Sequence, residues 1–567
     1  MTTSVVANRK GPSRATLYGL ASVLAGMGLL GWRASQYGSW VVDDAGITFA
    51  YARSFAEGLG PVVAPGAAHV EGFSNPTWTA LLALARLAGL FDHGTLFGMP
   101  DYVLVPKALA LVCCGGILAA CHRAASKVTR LPWLATLVVA ALLTWTPSFV
   151  IWCFSGLENS LLALLVVCLA VAVFRAVLDD RLLTTKVAVL AGVLAAFAGL
   201  TRPDGLIYAA VYPLVVLLHL TKPTLRPSVR HVLVSVLAFA VPFGAYLSWR
   251  YLEFGRLVAN TAVAKVQSLP DLQTFARPGD LVSYAGALAV VAFALVVGVA
   301  LARAPWRAGL AALLVPLGLA VVAYAVLNPD WMAQFRFATP VWVLAALIGT
   351  LATAEVLKSA RVRGRILVSV ALVAVLLPSG AVLADAATKF QNRPTIPLCY
   401  IADRFGRVFN AYADILGLGR ASVLMPDLGG SSLTSRLDIV DMAGLVDAKI
   451  ADLFHDQDMA GLRDYVFETV KPTFLHSRGP WRAATGITSD PRLARDYTPI
   501  FRYAPGDGPV GDGDWVRKDA VSSPEKLAAA RSYAAATVLR VERGETGDPL
   551  KRCGSVLRPG QTDLDTP

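Results

Sequence analysis

The chain has 567 residues and a mass of 60.0 kDa; 55% of its residues are hydrophobic, 16% are charged, and the mean hydropathy is +0.56. That balance excludes an ordinary water-soluble multidomain protein and describes a polytopic membrane protein. The formal charge is +12, but over the first 385 residues Arg and Lys sit mostly in short hydrophilic breaks between apolar runs, a topology signal that excludes a nucleic-acid footprint.

The first apolar run, Leu17 to Gly31, follows Arg9, Lys10 and Arg14 and lacks a small-residue cleavage site, so it reads as an uncleaved span with a cytoplasmic N-terminus. Behind it VVDDAGITFAYARSFAEGLG (41–60) predicts an amphipathic helix that opens on Asp43 and Asp44 and carries Arg53. HVEGFSNPTW follows, with Glu71 and Asn75. Pro76 to Leu90 is apolar but short and interrupted by Arg86; counted as a span it inverts every later loop, so it is expected as an interfacial or re-entrant element on the outer side.

About 11 spans remain, near residues 17–35, 103–121, 132–150, 159–177, 187–201, 205–220, 231–250, 281–302, 308–327, 337–356 and 366–385. The breaks His122 to Arg130, Arg175 to Lys186, Lys222 to Arg230, Arg303 to Arg307 and Lys358 to Arg365 are rich in positive charge and belong in the cytoplasm. An odd number of spans then delivers everything after about residue 386 to the outside. The expected architecture is a polytopic α-helical membrane domain over 1–385 and an extracytoplasmic small α/β domain over 386–567, in the cytoplasmic membrane.

In the second part, amphipathic stretches (Ile401 to Leu416, Asp447 to Leu453, Gly461 to Val470) alternate with β-like runs (Ser422 to Met425, Leu437 to Val440, Thr473 to His476). Glycine and proline thicken from Pro505 to Gly513, so the tail is expected to be loop-rich. Cys399 and Cys553 fall in this part, and sequence separation alone leaves their pairing open. The other five cysteines lie in or beside apolar runs without metal-ligand spacing.

Polar side chains of the first part are concentrated on the expected outer face. Asp43, Asp44 and Glu71 lie in the first outer segment, Glu158 caps one hairpin, Asp204 another and Asp330 a third; Arg53, Asn75, Arg202, Asn260, Lys265 and Arg336 join them. Each has an ordinary explanation. Asp43 or Asp44 serves as a helix N-cap, Arg53 as a solvated helix face, Glu71, Glu158 and Asp204 as turn polarity, Asp330 and Trp331 as a turn beside an aromatic belt, and Lys265 and Arg336 as snorkelling cations. Turn chemistry does not explain a carboxylate in each of several separate hairpins, and such groups converging beside the lipid suit a substrate with a polar head and an apolar tail. There is no Walker loop, no HExxH and no GxSxG elbow, and Gly508 to Gly513 neither follows a clear strand nor opens a helix.

Seven segments in order, VVDDAGITFAYARSFAEGLG, HVEGFSNPTWTALL, SGLENSLLAL, LTRPDGLI, FGRLVANTAVAK, NPDWMAQFRFATPVW and PDLGGSSLTSRLDIVDMAGLVD, resemble the polyprenyl-phosphate-dependent glycosyltransferases of the GT-C class, most nearly the terminal β-arabinofuranosyltransferases of mycobacterial cell walls. The resemblance runs from about residue 41 to about 450. Gly46 and Thr48 stand where such enzymes usually have an aromatic residue and a serine, and Asn-Pro-Thr-Trp replaces the more usual Asn-Phe-Leu-Trp.

The resemblance implies transfer of a sugar, arabinofuranose first, from a polyprenyl-phosphate donor to a cell-envelope glycan or lipid acceptor. It implies Asp43, with Asp44 as second choice, as general base. Arg202, Lys265 and Arg336 would face the leaving phosphate, and Glu71, Glu158, Asp204 and Asp330 the sugar hydroxyls, with Arg53, Asn75, Asn260 and Trp331 completing the substrate site. No cofactor is required; a divalent cation is compatible with the carboxylates, although no His-containing spacing calls for one. A secondary transporter and a non-catalytic binder of a lipid-linked glycan are the alternatives.

Overall fold

The computed structural model describes residues 14–265, 271, 273–503, 512–543 and 552–564; Arg9, Lys10 and the 508–511 part of the glycine-rich turn lie outside them. The first span is α1 (Arg14–Ser35). After a short turn come α2 (Asp43–Ala56) and α3 (Pro76–Leu87), then a two-residue hairpin, β1 (Thr95–Leu96) and β2 (Met99–Pro100), that leads directly into α4 (Asp101–Val128). At 12 residues α3 is roughly 18 Å long, too short to cross ~30 Å of hydrocarbon. It packs on α2, and Arg86, near its end, pairs with Asp92 and Glu57.

Seven helices of the described residues are long and apolar enough to cross a membrane, and two bent pairs raise the number to as many as nine. The first bent pair is α5 (Pro132–Trp145) with α6 (Pro147–Cys153), which meet at 84°. The bend has a local cause: Thr146 precedes a proline, which disfavours helical backbone, and its ψ is 100°. After α7 (Asn159–Leu178) two shorter apolar elements follow, α8 (Thr185–Thr201) and a 3₁₀ turn (Pro203–Ala210) continued as α9 (Val211–Leu218). Then come α10 (Leu225–Phe254) and the single-turn α11 (Asn260–Ala264). The second bent pair, α12 (Pro278–Ala285) with α13 (Ala287–Arg303), turns by 100° at Gly286, whose φ of +89° suits only glycine. The bundle closes with α14 (Arg307–Val326), α15 (Thr339–Ser359) and α16 (Val362–Asn392).

Every expected span thus has a helix or bent pair over it, although length and composition alone qualify only seven to nine. The interior is filled by large side chains that are under 2% exposed, among them Trp78, Trp152, Phe49, Phe149 and Phe174. By contrast α10 and α16 leave Leu233, Leu237, Val241, Ile366, Leu367 and Val370 exposed. Continuous apolar faces of this kind are the lipid-facing surface of a membrane protein.

The second domain begins later than the apolar pattern suggests, because α16 runs past residue 385 to Asn392 without a break. It opens with α17 (Leu398–Ile401), continued without interruption into α18 (Val408–Leu416). Its five-stranded sheet has the order β4-β3-β5-β7-β6, built from β3 (Ser422–Met425), β4 (Asp438–Asp441), β5 (Phe474–Ser477), β6 (Tyr497–Arg502) and β7 (Gly513–Arg517). Strands β4, β3 and β5 are parallel, and β7 and β6 are antiparallel additions. Between β3 and β4 lies the six-residue α19 (Gly429–Thr434).

The loop-rich tail expected from sequence is corrected here. The stretch 497–517 supplies two strands, and Pro524–Arg543 is a 20-residue helix packed on α18. Pro499 disguised β6, and the sheet tolerates it because β6 is an edge strand.

The two domains meet at several places among the described residues, three of them at the following contacts. Val42 forms a bridge with Pro397, and Leu398 N–H donates to Val41. Arg256 pairs with Asp452 at 2.8 Å. Residues 552–564 return to the segment between α3 and α4, where Arg558 binds Asp92, Tyr102 donates to Gly554 C=O and Arg552 donates to Gly98 C=O. A Cys399–Cys553 disulfide holds that returning segment against α17.

Candidate active site

Asp43 and Asp44 open α2, but neither caps it: the N-cap position is Val42, without a side-chain bond. Their surroundings differ. Asp43 is 5% exposed, and its two carboxylate oxygens accept N–H from Gly430 at 2.7 Å and Gly429 at 3.1 Å. Burial lifts its carboxyl well above the usual range; the carboxylates of Asp427 and Asp44 push the same way and the two amides oppose. Asp44 is half-buried and has no side-chain partner among the described residues. Thr48 lies one turn beyond Asp44, on the same helix face, and shares a hydrogen bond with Asn75.

From Asn75 the contacts continue inward. Its Nδ2 donates to Glu158 at 2.7 Å, and Glu158 pairs with Arg202 at 2.9 Å. Arg202 also binds Asp204 at 2.8 Å and lies 4.8 Å from the centre of the Phe337 ring. Arg336 lies 4.9 Å from the same ring and pairs with Asp330 at 2.7 Å. Residues from four separate loops are therefore linked to one pair of arginines that share the Phe337 ring: Asn75 and Glu158 and Asp204 through Arg202, and Asp330 through Arg336. The local reasons are helix ends. Glu158 precedes α7, Arg202 follows α8, and Arg336 begins the 3₁₀ turn that feeds α15. A guanidinium stacked on an aromatic face keeps its edge free for acceptors. Arg202 uses Nε and one terminal nitrogen, Arg336 uses Nε, and the remaining N–H groups have no protein acceptor among the described residues.

The other expected substrate residues stand apart. Arg53 is a tie between domains: it grips Asp92 at 2.6 and 2.8 Å and donates to the carbonyls of Leu433 and Leu557. Glu71 pairs with Arg250 at 2.6 Å and accepts from Tyr246, both on α10; burial raises its carboxyl. Asn260 is buried and donates to the carbonyls of Gly444 and Leu445. Arg53 and Asn260 make interdomain contacts with their polar atoms, so the structure does not bring them into the arginine cluster. Lys265 is exposed at the end of α11, and Trp331 is 56% exposed. Among the described residues no three His, Cys, Asp or Glu side chains gather as a metal site would require.

Sequence reasoning missed Phe337, Arg250, Tyr246 and the Gly429–Gly430 pair. Phe337 was open to discovery, since it stands beside Arg336 in the segment NPDWMAQFRFATPVW. The PDLGG run was visible as well, but nothing local to it names Asp43 as its partner.

No protein-family model matches the sequence, and no curated protein matches it. Solved structures do match. ArnT from Cupriavidus metallidurans, in a crystal structure bound to undecaprenyl phosphate, superposes with a TM-score of 0.55 at 13% identity, over 90% of this chain and 99% of that one. ArnT in the apo state gives 0.54 at 14% identity, over 90% of this chain and 100% of that one. The arabinofuranosyltransferase AftD from Mycobacteria gives 0.50 at 14% identity, over 90% of this chain but 40% of that one. The chain has the GT-C fold. At such identities the likeness carries architecture, and the chemistry rests on this chain's own residues.

Proposed function

We propose that this GT-C chain is a glycosyltransferase of the cytoplasmic membrane. It moves a sugar, with arabinofuranose the first choice, from a polyprenyl-phosphate donor to a cell-envelope glycan acceptor on the outer face. The observation that carries the reading is the pair of guanidiniums, Arg202 and Arg336, on the Phe337 ring with N–H groups still free. Displacing a sugar from a lipid phosphate needs no proton donor for the leaving group, only positive charge and N–H donors at its oxygens, and these two side chains supply both. Around them Glu158, Asp204, Asp330 and Asn75 offer acceptors and one amide for sugar hydroxyls. A carboxylate of the Asp43–Asp44 pair takes the acceptor's hydroxyl proton, a contribution of about 10²- to 10⁴-fold.

That ArnT was captured with undecaprenyl phosphate supports the donor class, and the mycobacterial AftD likeness supports the choice of sugar. The Cys399–Cys553 disulfide supports the outer location of the second domain, because such bonds persist in oxidising compartments. The same reading puts the N-terminus in the cytoplasm.

The test is to supply purified full-length protein in lipid nanodiscs with radiolabelled polyprenyl-phosphate sugars and an oligosaccharide acceptor. Arabinofuranose should be consumed and Arg336→Ala should abolish its transfer. Consumption of a different sugar would correct the donor, and consumption of none would overturn the reading.

A further inference from the structure

We infer that the second domain is a working part of this site: by binding Asp43 through the backbone amides of Gly429 and Gly430 it makes Asp43 a positioning residue and leaves Asp44 as the proton acceptor. The inference rests on the glycosyl-transfer reading above and deepens it.

The two faces of the first turn of α2 carry the argument. One face is sealed against the second domain. Asp43 presents both carboxylate oxygens to the two amides, its own N–H donates to Ile396 C=O at 3.0 Å, and Gly46, one turn on, abuts Gly429. The approach is close enough to demand glycine on both sides. A Cβ on Gly46 would stand 2.5 Å from the Gly429 carbonyl carbon, and a Cβ on Gly429 only 1.8 Å from the Asp43 carbonyl oxygen. With each oxygen held by an amide and only 5% of its surface exposed, Asp43 is the less accessible of the two carboxylates to an acceptor hydroxyl.

The other face leads to the arginine cluster. Asp44 and Thr48 share it, Thr48 is joined to Asn75, and Asn75 to Glu158 and so to Arg202. The loop that bears Glu158 also rests on this turn, since Val42 N–H donates to Ser155 C=O at 3.0 Å. Asp44 is therefore the carboxylate of the pair that is both open and directed toward the donor-binding groups. In the step assigned to it, the acceptor O–H breaks and its proton goes to Asp44. The freed oxygen bonds to the anomeric carbon, and the carbon–oxygen bond to the lipid phosphate breaks with its electron pair staying on the phosphate. Since a catalytic group must be held to about 0.5 Å, the Asp43 anchor sets the aim of Asp44.

The experiment uses the full-length protein in nanodiscs and the donor it consumes, with Asp44→Asn, Asp43→Asn and Gly429→Ala compared. Asp44→Asn should lower kcat by ~10²- to 10⁴-fold at every pH. Asp43→Asn turns an NH₂ toward an amide N–H, and Gly429→Ala forces the contact apart. Both should lower kcat by about 10²-fold, the cost of roughly 1 Å of misplacement, with the donor KM unchanged and the acid limb of the kcat/KM profile where the native protein has it.

Folding is followed by formation of the Cys399–Cys553 disulfide; should Gly429→Ala not accumulate, the near-isosteric Asp43→Asn decides alone. The inference is overturned if Asp43→Asn moves the acid limb or is the more damaging of the two aspartate variants, or if Gly429→Ala keeps native kcat. Native rates in all three would instead bring down the glycosyl-transfer mechanism itself.

Discussion

Arg202 binds Glu158 at 2.9 Å across 44 positions of sequence, both side chains less than a tenth exposed. The bond joins the end of α8 to the start of α7, so the geometry of the arginine cluster is fixed by how two membrane helices pack.

A buried charge stripped of its partner is costly, about 3–5 kcal/mol. Arg202→Ala is therefore expected to lower the thermal midpoint in detergent by several degrees. Arg202→Ala combined with Glu158→Gln should recover part of that stability while sugar transfer stays lost. Transfer restored in the double variant would remove Arg202 from the donor site.

Asn260 holds the second domain by two carbonyls, those of Gly444 and Leu445, at 2.7 and 3.0 Å. Asn260→Ala leaves both unsatisfied, a loss of ~1–3 kcal/mol. Limited proteolysis should then release the second domain faster than in the native protein. Unchanged cleavage would mean that the Arg256–Asp452 and Arg53 contacts suffice.

Asp441 is fully buried, and burial raises its carboxyl from 3.8 to about 7 despite the N–H bonds from Ala443 and Val446. The folded chain therefore holds a proton that the unfolded chain has already lost anywhere between pH 3.8 and about 7. Stability contributed by this group is present at the acid end and falls as the pH rises through that window. Thermal midpoints measured from pH 5 to pH 8 should decline more steeply in the native protein than in Asp441→Asn. Parallel curves would show that Asp441 ionises normally.

The Cys399–Cys553 bond closes a loop of 154 residues, and opening it should cost about 2–5 kcal/mol. Single cysteines introduced at exposed Lys265 and Arg181 should react with an impermeant reagent only at the former. The opposite labelling would invert the topology.

Much of the fold was legible because lipid imposes a simple rule: about 20 apolar residues to cross, with basic residues left inside. Glu158, Asp204 and Asp330 were legible as carboxylates at hairpin ends, and the structure links the first two through Arg202 and sets the third on Arg336. The partners of the carboxylates were not legible. Glu71 finds Arg250 179 residues later and Asp43 finds Gly430 387 residues later, and no local rule names such pairs. Arg53 and Asn260 show the converse. Their residue types suit a substrate, but the second domain reaches them first. The tail helix at Pro524–Arg543 was legible in propensity, since its alanines, arginines and lysine favour helix.

Asp92 is bound by Arg53 and Arg86 nearby and by Arg558, which arrives 466 residues later. The ribosome must therefore deliver residue 558 before the loop that bears Asp92 receives its last ligand. Spans can insert one after another as they emerge, but the exterior surface closes only as a late event of biogenesis. A truncated transcript would leave a fully inserted bundle with that surface still open.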